Sequence, residues 1–411
     1  MREIIFHVDV NSAFLSWEAV YRLMELGETE DLREIPSAVC GDIKTRHGII
    51  LAKSMPAKRC GVKTADTISE ALRKCPNMKM VAPRRDWYHR CSKAFIEILR
   101  EYSPVVEQFS IDEAFMDMTG TQSLWGEPIF AADRIKDRIY KELGFTVNIG
   151  ISTNKLLAKM ASDFEKPDRV HTLFPEEIED KMWPLPVRDL FFCGKVTAKR
   201  LGSLGIRSIG DLANTDVGFL KDQLKKQGEI LHAFANGEDV SLVSEERPDN
   251  KGYGNSVTLP FDVTETQEAY RVLLSLCEKV GTRLRKDGVK ISVIAVSFKS
   301  DALRTSRHQR TLDAPTNHTQ EIYRQVMHIF DELWDGQTPI RLLGVHTSGV
   351  TGEDAETQLN LFTMDKQDKY RKLDSAIDQI REKYGENSIF RATYLQGGKR
   401  EGLSGGSADE T

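Results

Sequence analysis

Val106-Glu107-Gln108-Phe109-Ser110-Ile111-Asp112-Glu113-Ala114-Phe115-Met116-Asp117 reads as a strand, a tight corner and a returning strand. Two adjacent acids, Asp112 and Glu113, lie at the corner of an otherwise apolar run. Neighbouring side chains on a flat strand point to opposite faces, so the pair serves one site only if the corner turns one toward the other. Burying two carboxylates without a partner is costly, so positive charge is expected against them. The competing reading is a plain polar turn, since Asp is an ordinary turn residue.

Upstream, Ile4-Ile5-Phe6-His7-Val8 is β-rich and apolar, as expected of a buried central strand. It runs into Asp9-Val10-Asn11-Ser12-Ala13-Phe14, and helical spacing follows from Leu15 to Leu23. Asp9 thus falls at a strand end just before a helix start. Such ends carry catalytic groups and bind phosphate in α/β proteins, although Asp there also serves as a simple cap. Residues 37–81 alternate short strands with a basic segment in which Lys53, Lys58, Arg59 and Lys63 lie close together. That is either a cationic wall for a polyphosphate or an ordinary solvated helix face. Amphipathic helices are expected over 86–102 and 127–142, a strand over 145–151, and a helix from Asn154 to Phe164 that closes on Glu165-Lys166-Pro167. This order predicts a mixed sheet with helices on one face.

The length of 411 residues suggests roughly two to four domains. With 40% hydrophobic and 29% charged residues, the chain has the composition of a soluble globular protein. Its apolar runs are too short to span a bilayer. The N-terminus enters a strand directly, so no secretory leader is expected and the expected location is the cytoplasm. Six scattered cysteines without a Cys-x-x-Cys pair argue against a structural zinc site or a disulfide framework. A net charge of −5 excludes a uniformly basic nucleic-acid binder, but the charge is unevenly spread.

From Leu190 the texture changes. Phe191 to Leu201 reads as helix, glycine turn and helix around Gly194, and continues to Leu212. Between Gly194 and Arg207 there are four cations, Lys195 and Lys199 among them, and no anion. Residues 236–254 are polar and rich in Gly and Asp, as a linker would be. Beyond it, a helix over 264–286, a strand over 291–299, a helix over 318–334 and a strand over 341–350 predict a small α+β domain. Arg283 to Arg310 holds eight Lys/Arg, including Lys299, Arg304 and Arg307, against two Asp, the footprint of a polyanion binder. The tail carries Gln358-Leu359-Asn360-Leu361-Phe362, a charged amphipathic helix over 366–384, and a Gly/Ser/Glu-rich end from Gly397 to Thr411 expected to lack fixed structure.

Four of these pieces together resemble the Y-family translesion DNA polymerases, and most closely the bacterial DNA polymerase IV type. They are Phe6-His7-Val8-Asp9, the Ser110-Ile111-Asp112-Glu113-Ala114-Phe115 block about 100 residues on, the small-residue helix running from Asn154 to Lys166-Pro167, and the helix-hairpin-helix around Gly194. The resemblance runs from residue 1 to about 350, and the tail peptide extends it to 362. It implies an α+β multidomain right hand. The palm, a mixed sheet plus helices, would span 1–168 with fingers inserted at about 12–80. A helical thumb with a helix-hairpin-helix would span 169–237, a linker 238–254, an α+β little finger 255–351, and a tail 352–411.

The resemblance also implies roles. Asp9 and Asp112 would bridge two Mg²⁺ ions in the active site. Glu113 would serve the ion that activates the primer 3′-hydroxyl, and the Val10 carbonyl would ligate the triphosphate-bound one. Such a pair, ~3.5–4 Å apart, stabilises the attacking and leaving oxygens. Phe14 falls at the steric gate that excludes a ribose 2′-hydroxyl. The first aromatic of that motif is replaced by Ala13. Met55 and Lys58 fall where the family places a Tyr and an Arg on the triphosphate. Lys58 offers a point charge without a fork, and Met55 offers no donor. Lys166 matches a third triphosphate contact. Gly194, Lys195 and Lys199 would hold a DNA phosphate, with Phe192 replacing the first glycine of that motif. Gln358, Leu359, Leu361 and Phe362 match the peptide that binds the bacterial sliding clamp. The expected partners are primer-template DNA held without sequence preference, deoxynucleoside triphosphates and the clamp, for a monomer with no membrane association. No 3′–5′ exonuclease segment is evident, so low fidelity is expected. A non-catalytic clamp-tethered accessory is disfavoured by the three carboxylates. A nucleotidyl cyclase has no use for the helix-hairpin-helix or the basic domain.

Overall fold

The acids stand on a sheet built around β1 (Ile5–Val10), whose six residues are all buried. The structure, a computed structural model, describes residues 2–41, 48–246, 248–353 and 364–397, with the backbone alone for 364–368 and 395–397. The peptide 358–362 and the end of the chain beyond 397 lie outside the described residues. The chain divides at residue 247 into two units.

In the first unit, β1 is followed by α1 (Ala13–Met24), β2 (Ser37–Cys40), β3 (Ile50–Lys53), α2 (Met55–Arg59), α3 (Ile68–Lys74), β4 (Lys79–Val81) and α4 (Arg85–Tyr102). Next come β5 (Val106–Gln108), β6 (Glu113–Asp117), α5 (Gln122–Trp125), α6 (Pro128–Leu143), β7 (Val147–Ser152), α7 (Lys155–Ser162) and β8 (Val170–Thr172). The main sheet runs β5-β6-β1-β7-β8, with β1 antiparallel to both neighbours and β8 parallel to β7. Side chains alternate along β1. Phe6, Val8 and Val10 share a core with Phe95 and Leu99 of α4 and Ile135 of α6. Ile5 joins Phe115 and Ala158 of α7 instead. Helices therefore cover both faces, which corrects the one-sided arrangement expected. A strand buried on both sides needs cover on both.

A smaller sheet, β3-β2-β4, packs through Val39, Ala52 and Val81 onto Leu15 and Ala19 of α1. Farther along, α8 (Lys195–Ser203), α9 (Ile209–Ala213), α10 (Val217–Leu224) and α11 (Lys226–Ala235) share a core with Leu156, Leu157, Met160 and Ala161 of α7. The helix expected before Gly194 is only a 3₁₀ turn, Val187–Asp189. Phe191 and Cys193 plug the helical core, and Phe192 between them takes φ 64°. That left-handed conformation, which costs a non-glycine residue roughly 1–2 kcal/mol, breaks any helix there. The first half of the polar stretch 236–254 is pinned: Asn154 donates to the Gly237 carbonyl, Asp239 caps Leu156 N, and Ser244 N donates to Glu107.

The second unit holds β9 (Gly254–Val263), α12 (Thr266–Lys286), β10 (Val289–Ser300), β11 (Thr305–Thr316), α13 (Thr319–Leu333), β12 (Ile340–Gly352) and α14 (Met364–Tyr384). Its antiparallel sheet runs β11-β10-β12-β9, with Ile294, Val296 and Phe298 facing the helical core. Both edge strands are additional to the elements expected from sequence. The charged helix expected over 366–384 is present as α14. Asp374 accepts from Thr319 N at 3.0 Å, Asp378 pairs with Arg285 at 2.6 Å, and Arg381 and Arg391 both hold the buried Glu278. Among the described residues all six cysteines are free, and no helix is long and apolar enough to cross a membrane.

Candidate active site

Strand register brings the acids together. Asp9 on β1 lies directly opposite Glu113 on β6, and directly opposed side chains of an antiparallel pair sit about 4.5–5.5 Å apart at Cβ. The corner between β5 and β6 is closed by Phe109 N and Ser110 N, which both donate to the Glu113 carbonyl at 3.0 and 3.1 Å. Val10 N donates to the Asp112 carbonyl at 3.0 Å, clipping Asp112 to the end of β1. The Ser110 hydroxyl donates to Asp112 Oδ1 at 2.7 Å. The corner thus turns Asp112 toward the Asp9–Glu113 pair.

The positive partners come from α7. Its start is capped by Asn154, whose side chain accepts from Leu157 N. It lies against β7 at Gly150, where a Cβ would meet the Ala158 carbonyl oxygen at 2.0 Å and Ser162 N at 2.4 Å. Only glycine permits that approach. The approach seats Lys159, 9% exposed, with its ammonium 2.8 Å from Glu113, 3.4 Å from Asp163 and 3.8 Å from Asp9. Lys166, just past the helix, bonds Asp9 and pairs with Asp163 at 2.8 Å. Buried Asn148 fixes the path to Lys166 by donating to the carbonyls of Ser162 and Glu165 at 3.1 and 2.7 Å. His7, fully buried, lies 2.8 Å from Ser162 Oγ through Nδ1, while Nε2 faces Glu113 at 3.9 Å.

These neighbours set the proton affinities. Burial raises the Asp112 carboxyl, and the Asp9 and Glu113 charges raise it further against the Ser110 hydrogen bond. Burial alone would also raise Glu113, but the facing His7 ring and the Lys159 ammonium hold it at about 2. Burial works to lower Lys159, yet Asp163, Asp9 and Glu113 keep it raised and charged. Burial lowers His7, against the pull of the facing Glu113 charge. Three carboxylates and a strand-end carbonyl would offer an all-oxygen donor set suited to a hard dication such as Mg²⁺. Among the described residues no three His, Cys, Asp or Glu side chains converge at metal-holding distance. Ammonium groups stand among the acids instead, and they answer the demand for positive charge.

Phe14 lies in the first turn of α1, two residues after the N-cap Ser12 at φ 50°. Its ring stacks on Tyr88 at 5.0 Å and 17°. The Tyr88 hydroxyl donates to the buried Glu18 at 3.2 Å, and Glu18 also pairs with Arg22 and Arg84. The Phe14 ring thus rests on a braced neighbour. Met55 and Lys58 sit exposed on α2, started by Ser54 as cap. Burial and the nearby Lys58 lower the Lys53 ammonium, so the two form one cationic spot. No described contact ties Met55 or Lys58 to the three acids.

Gly194 is the N-cap of α8, which has no side-chain cap, and Lys195 and Lys199 stand exposed one turn apart. Phe192, in place of the motif's first glycine, holds the left-handed backbone a glycine favours. In the second unit, Lys299 and Arg307 lie on the sheet face away from the helices, because Arg307 opposes Ser297 and Lys299 opposes Thr305. Arg304 is exposed in the turn between β10 and β11.

Sequence reasoning missed Lys159, Asp163, His7, Asn148 and Tyr88. A lysine among Leu156, Leu157, Ala158, Met160 and Ala161 was a signal for the first. The others carry none outside the fold.

Known proteins resemble the chain along nearly its whole length. The family model described as the impB/mucB/samB family matches residues 8–163, and that of its C-terminal domain matches 250–361. DNA polymerase IV of Clostridium acetobutylicum is 44% identical over 397 residues, which is 96% of this chain and 99% of the relative. DNA polymerase IV 1 of Bacillus subtilis is 37% identical over 395 residues, covering 96% and 93%. A solved Y-family DNA polymerase chimera superposes with a TM-score of 0.71 at 23% identity, over 84% of this chain and 99% of that one. The fold is that right hand of palm, fingers, thumb and little finger. With relatives this similar along nearly the whole chain, the protein belongs to the bacterial DNA polymerase IV family.

Proposed function

We propose that the chain is a low-fidelity polymerase that adds deoxynucleotides to a primer 3′ end by two-metal nucleotidyl transfer and works past damaged template bases. The chain is a DNA-directed DNA polymerase by family. The finer reading is carried by the Asp9–Glu113 register pair with Asp112 clipped beside it. Asp9 and Asp112 would hold both Mg²⁺ ions, with Glu113 on one and the Val10 carbonyl on the other. When bound, such a pair activates the 3′-hydroxyl and offsets charge on the leaving oxygens. Lys166 is shared between Asp9 and Asp163 and can turn to a triphosphate, joined by Lys58 beside Lys53 and, in van der Waals contact, Met55. Phe14, stacked on Tyr88, closes the sugar pocket against a 2′-hydroxyl.

By this reading the palm spans 1–168 with fingers at about 12–80, the thumb 169–237, the linker 238–254, the little finger 255–351 and the tail 352–411. DNA phosphates would meet the α8 start at Gly194, Lys195 and Lys199, and Lys299, Arg304 and Arg307 in the second unit. The enzyme would act as a cytoplasmic monomer, recruited by the sliding clamp through Gln358, Leu359, Leu361 and Phe362.

Primer extension with Mg²⁺ tests the reading. Asp112→Ala should lower it about a thousandfold or more, and robust extension by that variant refutes the assignment. A combined Leu361→Ala and Phe362→Ala change should abolish capture by the clamp in a pull-down; retained capture rules the peptide out.

A further inference from the structure

We propose that Lys159 is a built-in counter-ion that competes with divalent cations for Glu113 and Asp9, and that Asp163 is the carboxylate to which it withdraws. This rests on the reading of Asp9 and Glu113 as metal ligands. An ammonium has three protons, and Lys159 has three carboxylates within reach: Glu113 at 2.8 Å, Asp163 at 3.4 Å and Asp9 at 3.8 Å. Two of these belong to the active site. The third, Asp163, caps the C-terminal end of α7 one turn beyond Lys159, with its side chain 47% exposed. Lys166 repeats the pattern, with Asp9 inside and Asp163 outside. Each lysine is thus divided between an acid of the site and the same outer acid.

A dication on Glu113 and Asp9 takes the oxygens that Lys159 holds, and like charges repel strongly in a partly buried pocket. An ammonium almost wholly covered by protein cannot be left without a partner at low cost. Asp163, at the i+4 position, removes that cost by keeping the charge paired as it draws back. A lysine that served only to neutralise the acids would need no outer partner and would help metal binding by holding the carboxylates in place. The two roles predict opposite signs for the same substitution.

The test is Mn²⁺ binding to the full chain without nucleotide, followed by the electron paramagnetic resonance of the free ion, with thermal melting to check folding. Lys159→Met should bind Mn²⁺ about tenfold more tightly than the wild type. Asp163→Asn, which pushes both lysines back onto the inner acids, should bind several-fold more weakly. Glu113→Gln should lose affinity. Unchanged or weaker binding by Lys159→Met, with Glu113→Gln still impaired, overturns the counter-ion role while leaving the ligands standing. Wild-type binding by both Glu113→Gln and Asp9→Asn overturns the ligand assignment itself. Should Lys159→Met not fold, Asp163→Asn decides, because a lysine confined to packing predicts no change there.

Discussion

At the ends of β1 and β6, Lys159 and Lys166 hold Asp9 and Glu113 within a few ångströms, and removing either lysine leaves a mostly buried carboxylate short of a partner. On β10 and β11, Lys299 and Arg307 stand on the open sheet face and Arg304 in the turn between the strands. None of the three is in an ion pair among the described residues. The first region concentrates charge where desolvation magnifies it, so each residue is individually decisive. The second spreads charge where water screens it, so residues substitute for one another. Each arrangement suits its chemistry. By the proposed function, one region would orient a reaction at the scale of a bond, while the other would follow a polyanion without reading its sequence.

Phe14→Ala is the sharpest probe of the tight region that leaves its charges intact. With the ring gone, discrimination against ribonucleotides in single-nucleotide insertion should fall by about 100-fold. Unchanged discrimination removes the gate role and leaves Phe14 as a core residue. The adjacent acids supply a second probe, of opposite signs. Glu113, held at about 2, stabilises the fold above its unfolded value of 4.5, by roughly 3 kcal/mol at neutral pH, and that contribution is lost as pH falls from 4.5 through 2. Asp112 is raised, so it subtracts stability at neutral pH and is relieved as pH falls. In chelator, Asp112→Asn should melt higher than the wild type at pH 7, with the gap closing toward acid. Glu113→Gln should melt lower, and its deficit should persist down to about pH 4.5. Shifts of the same sign for both variants break the distinction. The smallest effects belong to the open sheet. Lys299→Ala and Arg307→Ala should each cost a few-fold in DNA affinity and reduce the slope of log affinity against log salt by about 1. A hundredfold loss from either one shows a decisive residue where a redundant one is expected.

The residues alone left the acids open between a site and ordinary turn or cap positions, and the resemblance of Asp9 and the Ser110–Phe115 block to the family's motifs made them legible. Their cationic partner was harder to find. Lys159 is one residue from small and apolar neighbours on every side, and only Gly150 on a different strand shows which face of the helix meets the sheet. The edge strands escaped for another reason. Thr305–Thr316 carries Arg307, His308, Gln309 and Arg310 in a row, and an exposed edge needs no apolar alternation to be held by its neighbour's backbone. The apolar run Phe191-Phe192-Cys193 misled in the other direction. Its spacing suits a helix, but the chain spends two of its side chains as core plugs around a left-handed turn. The charged helix of the tail was readable from its pattern, whereas the pairing of Asp374, Asp378 and Arg381 with the second unit was not.

One helix faces two masters. Through Ala158 and Lys159, α7 leans on the catalytic sheet. Through Leu156, Leu157 and Met160 it is a structural member of the helical region beyond it. Two faces of one short helix are therefore committed to two different cores. A shift of the helical region that moved this eight-residue helix would also move Lys159 relative to Glu113 and Asp9. A side chain at position 150 would push the helix off the sheet, and with it the lysine that faces the acids.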